Sequence, residues 1–299
     1  MTPNILQNDR ALEWTPHALQ LLTEQIEEIH KKCGRPVVIA VCGGTASGKS
    51  TQVAQNLRDA IGERASLLHQ DNFQNLPDRI RHLRPRYRGD DPENYGLSKI
   101  PNLLKTLKAN QPVDIPNYIF RTRSHQGVRI VQPKPIVLFE GLYAAHHKIA
   151  KYCDFVIYVE MRALGRVLRR GYRGLFERYG RVNFANVFGN FCTSVMAAHM
   201  EFVIQQRTRA DVIVRVLYTF SETLERFPSQ PLIPAGDLPR PGPVIKEYTI
   251  DPETCLQLVG TNASRWMEVR FQHKAQLFFC FTAGPELSER ILATDWNAF

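Results

Sequence analysis

The chain predicts an α/β fold, a parallel sheet with helices on both faces, followed by a small C-terminal α+β extension. Three observations carry this. Short, wholly apolar runs alternate with stretches of helical periodicity. A glycine-rich turn sits between the first such run and a helix. Six prolines crowd into residues 228–243 and set off a tail of different character.

Residues 15–32 read as an amphipathic helix. Thr15 is its N-cap and Pro16 its first residue. Leu19, Leu22, Ile26 and Ile29 recur along one face, and Cys33-Gly34 ends it. Val37–Val41 is continuously apolar, the mark of a strand buried on both faces. A helix over 49–59 and a short strand at 66–68 follow. Residues 97–109 are helical, with Leu103, Leu104 and Leu107 on one face. Ile136–Phe139 and Phe155–Val159 are further buried strands, separated from the strand Val212–Val214 by helices over 162–177 and 187–209. In the tail, 244–250, 266–271 and 276–281 read as strands and 286–292 as a helix. The expected organisation is an N-terminal helix (1–35), a main domain (36–217), a Pro-rich linker (218–243) and an extension (244–299).

Composition is that of a soluble globular protein, with 43% hydrophobic and 22% charged residues. The longest apolar run, Val37–Cys42, is far short of a bilayer span, and the N-terminus lacks the pattern of a secretory signal. Six scattered cysteines form no C-x-x-C pair, so a reducing, cytoplasmic setting is expected. The net charge of +9 is concentrated. Five arginines fall within 79–88, and seven within 161–181 against the single acid Glu177. Such clustering suits a specific anion site or a solvated helix face better than a diffuse nucleic-acid surface.

The run Gly43-Gly44-Thr45-Ala46-Ser47-Gly48-Lys49-Ser50 fits G-x-x-x-x-G-K-[ST], after a buried strand and before a helix. This is the setting of a P-loop in an NTPase fold. Its glycines turn backbone N–H groups toward phosphate oxygens, and the helix N-terminus adds positive potential. Lys49 reaches the β- and γ-phosphates of a nucleotide. The Ser50 hydroxyl is a Mg²⁺ ligand, and Thr51 bonds the α-phosphate. Glu140, ending an apolar strand, is a second oxygen donor for the metal. The chain has no Asn-Lys-x-Asp motif, against a GTPase switch, and no acidic pair after that strand, against a hydrolytic motor.

With these motifs the chain resembles the uridine kinase and phosphoribulokinase family. The similarity includes the loop Gly43–Thr51, Gln70-Asp71-Asn72-Phe73, Asp90–Tyr95, Pro116–Phe120, Leu138–Gly141, Arg169–Arg178 and Arg209–Ile213. It runs from about residue 36 to 215 and omits the tail. The resemblance implies an ATP- and Mg²⁺-dependent kinase acting on a primary hydroxyl, first of all that of uridine or cytidine. Asp71 is then the general base, unless it only caps a turn. Asp90 accepts hydrogen bonds from ribose hydroxyls, unless it is a solvated loop acid. Tyr118 and Phe120 wall the acceptor pocket or belong to strand core. Arg170, Arg173 and Arg178 match lid arginines that neutralise the transferring group.

The departures lie on the acceptor side. Where the family reads Tyr-Asp-Phe-x-x-His-Ser-Arg, this chain has Tyr118-Ile119-Phe120-Arg121-Thr122-Arg123-Ser124-His125. Arg123 thus replaces the base-contacting His. Asp91 stands where His is usual, and Gly174 where the lid has Asp. Two alternatives remain open at this point. One is a kinase of another small acceptor, as in phosphoribulokinase-like or pantothenate kinase-like relatives. The other is a nucleotide-dependent binding protein without catalysis. The expected partners are ATP and a small acceptor, with no membrane or nucleic acid, and homo-oligomers are common in the family.

Overall fold

The computed structural model describes residues 11–75, 88–119, 122, 124–172 and 190–217, together with strand segments within 244–281. The chain divides into two units, one of Met1–Arg162 with Ser194–Leu217, the other of Ala163–Thr193 with Tyr218–Phe299.

The first unit is built on six parallel strands. They are β1 (Leu12–Glu13), β2 (Val37–Gly43), β3 (Ala65–His69), β6 (Ile136–Gly141), β7 (Phe155–Glu160) and β8 (Val212–Arg215). Their spatial order is β1-β8-β7-β2-β6-β3. Every residue of β2 and β6 is buried, as the apolar runs Val37–Cys42 and Ile136–Phe139 require of strands with both faces covered, and Glu140 is the one charged residue among them. One face, through Val38, Ala40, Cys42, Val137 and Phe139, packs under α3 (Ile100–Lys108) and the short α4 (His147–Ala150). On α3 the buried Ile100, Leu103, Leu104 and Leu107 recur at helical spacing. The alternate residues, Ile39 and Val41, point to the opposite face.

Helix α1 (Pro16–Cys33) packs on β2 and on α2, which continues as Gln55–Ile61 from helical turns over Lys49–Ala54. Thr15 Oγ1 accepts a hydrogen bond from Ala18 N at 3.1 Å. Gly34, at φ 62°, closes the helix by donating its N–H to His30 O. Both ends therefore fall where their capping residues direct.

The antiparallel hairpin β4 (Val113–Ile119) and β5 (Ser124–Val131) is not foreshadowed by an apolar run. Only one side of β4 is buried and β5 is largely exposed, so the hairpin lacks the signature that marks the central strands. The two-residue β1 and four-residue α4 are too short to leave a periodic trace.

In the second unit, α5 (Ala163–Tyr172) matches the start of the helix expected over 162–177. The four strands β9 (Val244–Asp251), β10 (Thr254–Gly260), β11 (Arg265–Phe271) and β12 (Gln276–Phe281) form an antiparallel meander. Three of these were expected, and β10 is additional. The linker 218–243 and the helix expected over 286–292 lie outside the described residues.

Candidate active site

The phosphate loop is shaped by backbone conformations that few residues tolerate. Gly43 pairs with Val159 at the end of β2, and a Cβ there would lie 2.3 Å from the Val159 carbonyl oxygen. Ala46 and Gly48 have φ of 63° and 92°. Ser47 donates its N–H to Gly44 O at 3.1 Å and tightens the turn. The N-cap of the helical turns that begin at Lys49 is Gly48, which has no side chain to cap them. Their first N–H groups are thus oriented as an anion cradle.

Parallel register places the next groups. Val41 of β2 and His69 of β3 both pair with Glu140 of β6. Ser50 donates its hydroxyl to Glu140 Oε2 at 2.8 Å, and His69 Nδ1 lies 2.6 Å from Glu140 Oε1. Glu140 is only 3% exposed. Burial alone would raise its pKa, but the His69 hydrogen bond, the Lys49 charge and the Ser50 hydrogen bond together hold it below the ordinary value. The hydrogen bond to Glu140 raises the pKa of His69 despite burial. A hydroxyl and an ionised carboxylate at hydrogen-bond distance beside a phosphate cradle fit a hard cation such as Mg²⁺, which retains water on its remaining positions. Sequence reading did not single out His69; its one signal was its place between a short strand and Asp71.

Asp71 lies on the short helical turn Gln70–Phe73 directly after β3. The buried Gln70 anchors that turn by accepting Tyr143 N–H at 2.7 Å. Gly141 leaves room for this, since a Cβ there would come within 2.1 Å of Gln70 Oε1. Asp71 and Glu140 both act electrostatically on His69, so the base candidate and the candidate metal ligand share one neighbourhood.

Asp90 is tied to the same centre. Thr45 of the phosphate loop donates its hydroxyl to the Asp90 carboxylate, and Tyr143 donates its phenol to the Asp90 backbone carbonyl. Arg88 ties the loop to the neighbouring helical segment, 2.9 Å from Asp91 and 2.7 Å from Glu201, with its guanidinium over the Phe202 ring. Asp91, at the position where the resembling family has His, thus serves as an ion-pair partner.

Tyr118 is buried in the hairpin, edge-on to His125 at 5.5 Å. Arg170, in the second unit, donates to Asn190 Oδ1. Phe120, Arg123, Arg173 and Arg178 lie outside the described residues. The described first unit therefore brings Gly43–Thr51, Asp71, Asp90 and Glu140 together.

A buried strand, a glycine loop opening a helix and a carboxylate on the adjacent parallel strand define a P-loop kinase-type nucleotide fold. The model of the family described as Phosphoribulokinase / Uridine kinase matches residues 38–221, and the chain belongs to that family. It is 31% identical to the uridine kinase of Halobacterium salinarum over 179 residues, 59% of this chain and 78% of that protein. It is 30% identical to the uridine kinase of Clostridium botulinum over 60% of this chain and 88% of the relative. Against uridine kinase-like protein 3 of Arabidopsis thaliana, 29% identical, the match spans only 41% of the plant protein. The fold is shared with a putative fructose transport system kinase from Silicibacter sp. TM1040. That likeness has a TM-score of 0.54 at 20% identity and covers 66% of this chain and 98% of the other. Among the described residues no helix is long and apolar enough to cross a membrane.

Proposed function

We propose that the protein transfers the γ-phosphoryl group of ATP, bound with Mg²⁺, to a primary hydroxyl of a small acceptor. The 5′-hydroxyl of a pyrimidine nucleoside is the acceptor to test first. The observation that carries this reading is the meeting of the phosphate loop, the Ser50–Glu140 pair and Asp71 at the ends of the adjacent strands β2, β6 and β3.

When bound, Mg²⁺-ATP supplies the transferable group and a cation that draws charge from the phosphate oxygens. The N–H groups of Gly43–Ser50 and the Lys49 ammonium bind the phosphates, with Thr51 on the α-phosphate. Ser50 and Glu140 hold the metal, and His69 keeps the Glu140 carboxylate ionised and oriented. Asp71 accepts the proton of the attacking hydroxyl. Asp90, held in place by Thr45 and Tyr143, receives vicinal hydroxyls of the acceptor. Arg170, Arg173 and Arg178 shield the developing charge. A site in the cytoplasm and a role in pyrimidine salvage belong to the same proposal.

The names of the bacterial and archaeal relatives support a nucleoside acceptor. Ile119 and Arg123, replacing the family's Asp and His, favour a second reading with a different small acceptor. The test is ADP release with uridine, cytidine, ribulose 5-phosphate and pantothenate, with Lys49→Ala as control. Turnover of one acceptor that Lys49→Ala abolishes supports the reading. Turnover that survives Lys49→Ala, or salt-dependent nucleic-acid binding with no ATP consumption, defeats it.

A further inference from the structure

Beside the metal-site carboxylate the first unit opens a cleft of about 330 Å³, lined by His69, Asn72, Asn117, Arg129 and the Gln126–Val128 stretch. The hairpin makes it. Pro116 pairs with Val128 and Tyr118 with His125, so Gln126 and Gly127 together oppose Asn117 in a bulge. Gly127 takes φ 74°, a conformation glycine accepts without strain. At this bulge Gln126, Gly127 and Val128 line the cleft together with His69, the partner of Glu140.

The chemistry of the lining is one-sided. It carries a guanidinium, three side-chain amides and an imidazole, and neither an acid nor a Phe, Tyr or Trp face for a base to stack on. Arg129 makes no ion pair with the described residues, although its charge is felt by His69. Asn72 accepts the Tyr118 N–H through Oδ1, at 3.5 Å, which orients its amide group. His69, whose Nδ1 is engaged by Glu140, also lines the cleft. A guanidinium with no ion-pair partner among the described residues, amid amide donors, matches a carboxylate or phosphate, which accepts paired hydrogen bonds from such a fork.

We infer that this cleft is an anion subsite of the acceptor pocket, receiving a carboxylate or phosphate carried by the molecule that is phosphorylated. The inference rests on the phosphoryl-transfer reading and selects a charged acceptor over a neutral nucleoside. A molecule anchored there lies beside the turn that presents Asp71 and Asn72. Arg129 is accordingly a specificity-determining residue.

Calorimetric titration of the full chain tests this, with the phosphate loop filled by Mg²⁺ and a non-hydrolysable ATP analogue so that added anions report on the cleft. Ribose against ribose 5-phosphate tests the phosphate source, glycerol against glycerate the carboxylate source, and uridine is the neutral nucleoside. At least one charged member should bind tenfold or more tightly than its neutral partner, with a preference that shrinks as salt is raised. Arg129→Gln should remove that preference, and Arg129→Lys should keep part of it. Equal binding within both pairs, no binding of either anion, or a preference that Arg129→Gln leaves intact would each overturn the subsite. Failure of the ATP analogue to bind strikes the phosphoryl-transfer reading itself and is read separately in the first titration.

Discussion

At the scale of single residues, the carboxylates of the proposed site stand in different surroundings. Glu140 is buried and doubly hydrogen-bonded, which suits a fixed metal ligand. Asp71 is half-exposed on a turn, which suits a group that must meet an incoming hydroxyl. Asp71→Asn should therefore lower kcat by about 10²–10⁴, the usual contribution of a positioned base, with a much smaller change in acceptor KM. Steady-state kinetics separate the two, and an unchanged kcat removes Asp71 from the chemistry. Asp90 is bonded to Thr45 and should act on binding instead. Asp90→Asn should raise acceptor KM by about tenfold, the scale of one lost charged hydrogen bond, and leave kcat within a few-fold. A 2′-deoxy acceptor should reproduce most of that loss if the acceptor is a ribose derivative.

At the scale of elements, close approach and strand anchoring decide the architecture. Gly43 lets β2 and β7 run together where a side chain would strike the Val159 carbonyl. Gly43→Ala should cost about 2–5 kcal/mol in urea unfolding, from the clash and the positive φ together. Gly34→Ala is the contrast, because the residue is left-handed (φ 62°, ψ 16°) but nothing lies within 4 Å of the added carbon. It should cost only about 1–2 kcal/mol.

Asp154 pins the start of β2, accepting the Val38 N–H at 2.8 Å while paired with Arg35 and Lys108. Burial would raise its pKa, but the hydrogen bonds from Arg35, Val38 N–H and Lys108 hold it below the ordinary 3.8. A depressed carboxyl stabilises the fold above its unfolded pKa and loses that effect as pH falls through the folded value. The wild type should thus shed this contribution below about pH 4, and Asp154→Asn should be less stable by about 1–2 kcal/mol at neutral pH. Thermal melts at several pH values should show the two proteins converging on acidification. A constant gap would mean the charge on Asp154 is irrelevant.

At the scale of the whole molecule, the described groups proposed to bind phosphate and metal, from Gly43 to Glu140, all belong to the first unit. Deleting residues from 228 onward should leave binding of a fluorescent ATP analogue within a few-fold of the full chain. Loss of binding together with loss of cooperative unfolding would show instead that the tail completes the core.

The sequence alone determined the central strands and the phosphate loop, because both are local. A continuous apolar run and a glycine-rich turn before a helix report their own conformation without reference to distant residues. Helix α1 was legible to its caps for the same reason. The hairpin β4–β5 was not legible, since half-exposed strands with a proline and a bulge carry no clean alternation. His69 drew no attention because its meaning is the neighbour it acquires. Only parallel pairing of β3 with β6 sets it against Glu140, residues 71 positions apart. The Thr45–Asp90 bond and the Arg129 cleft likewise come from elements remote in the chain. Local propensity fixes what each segment becomes, whereas the meeting of donors and acceptors across segments depends on register and packing, which only the tertiary structure decides.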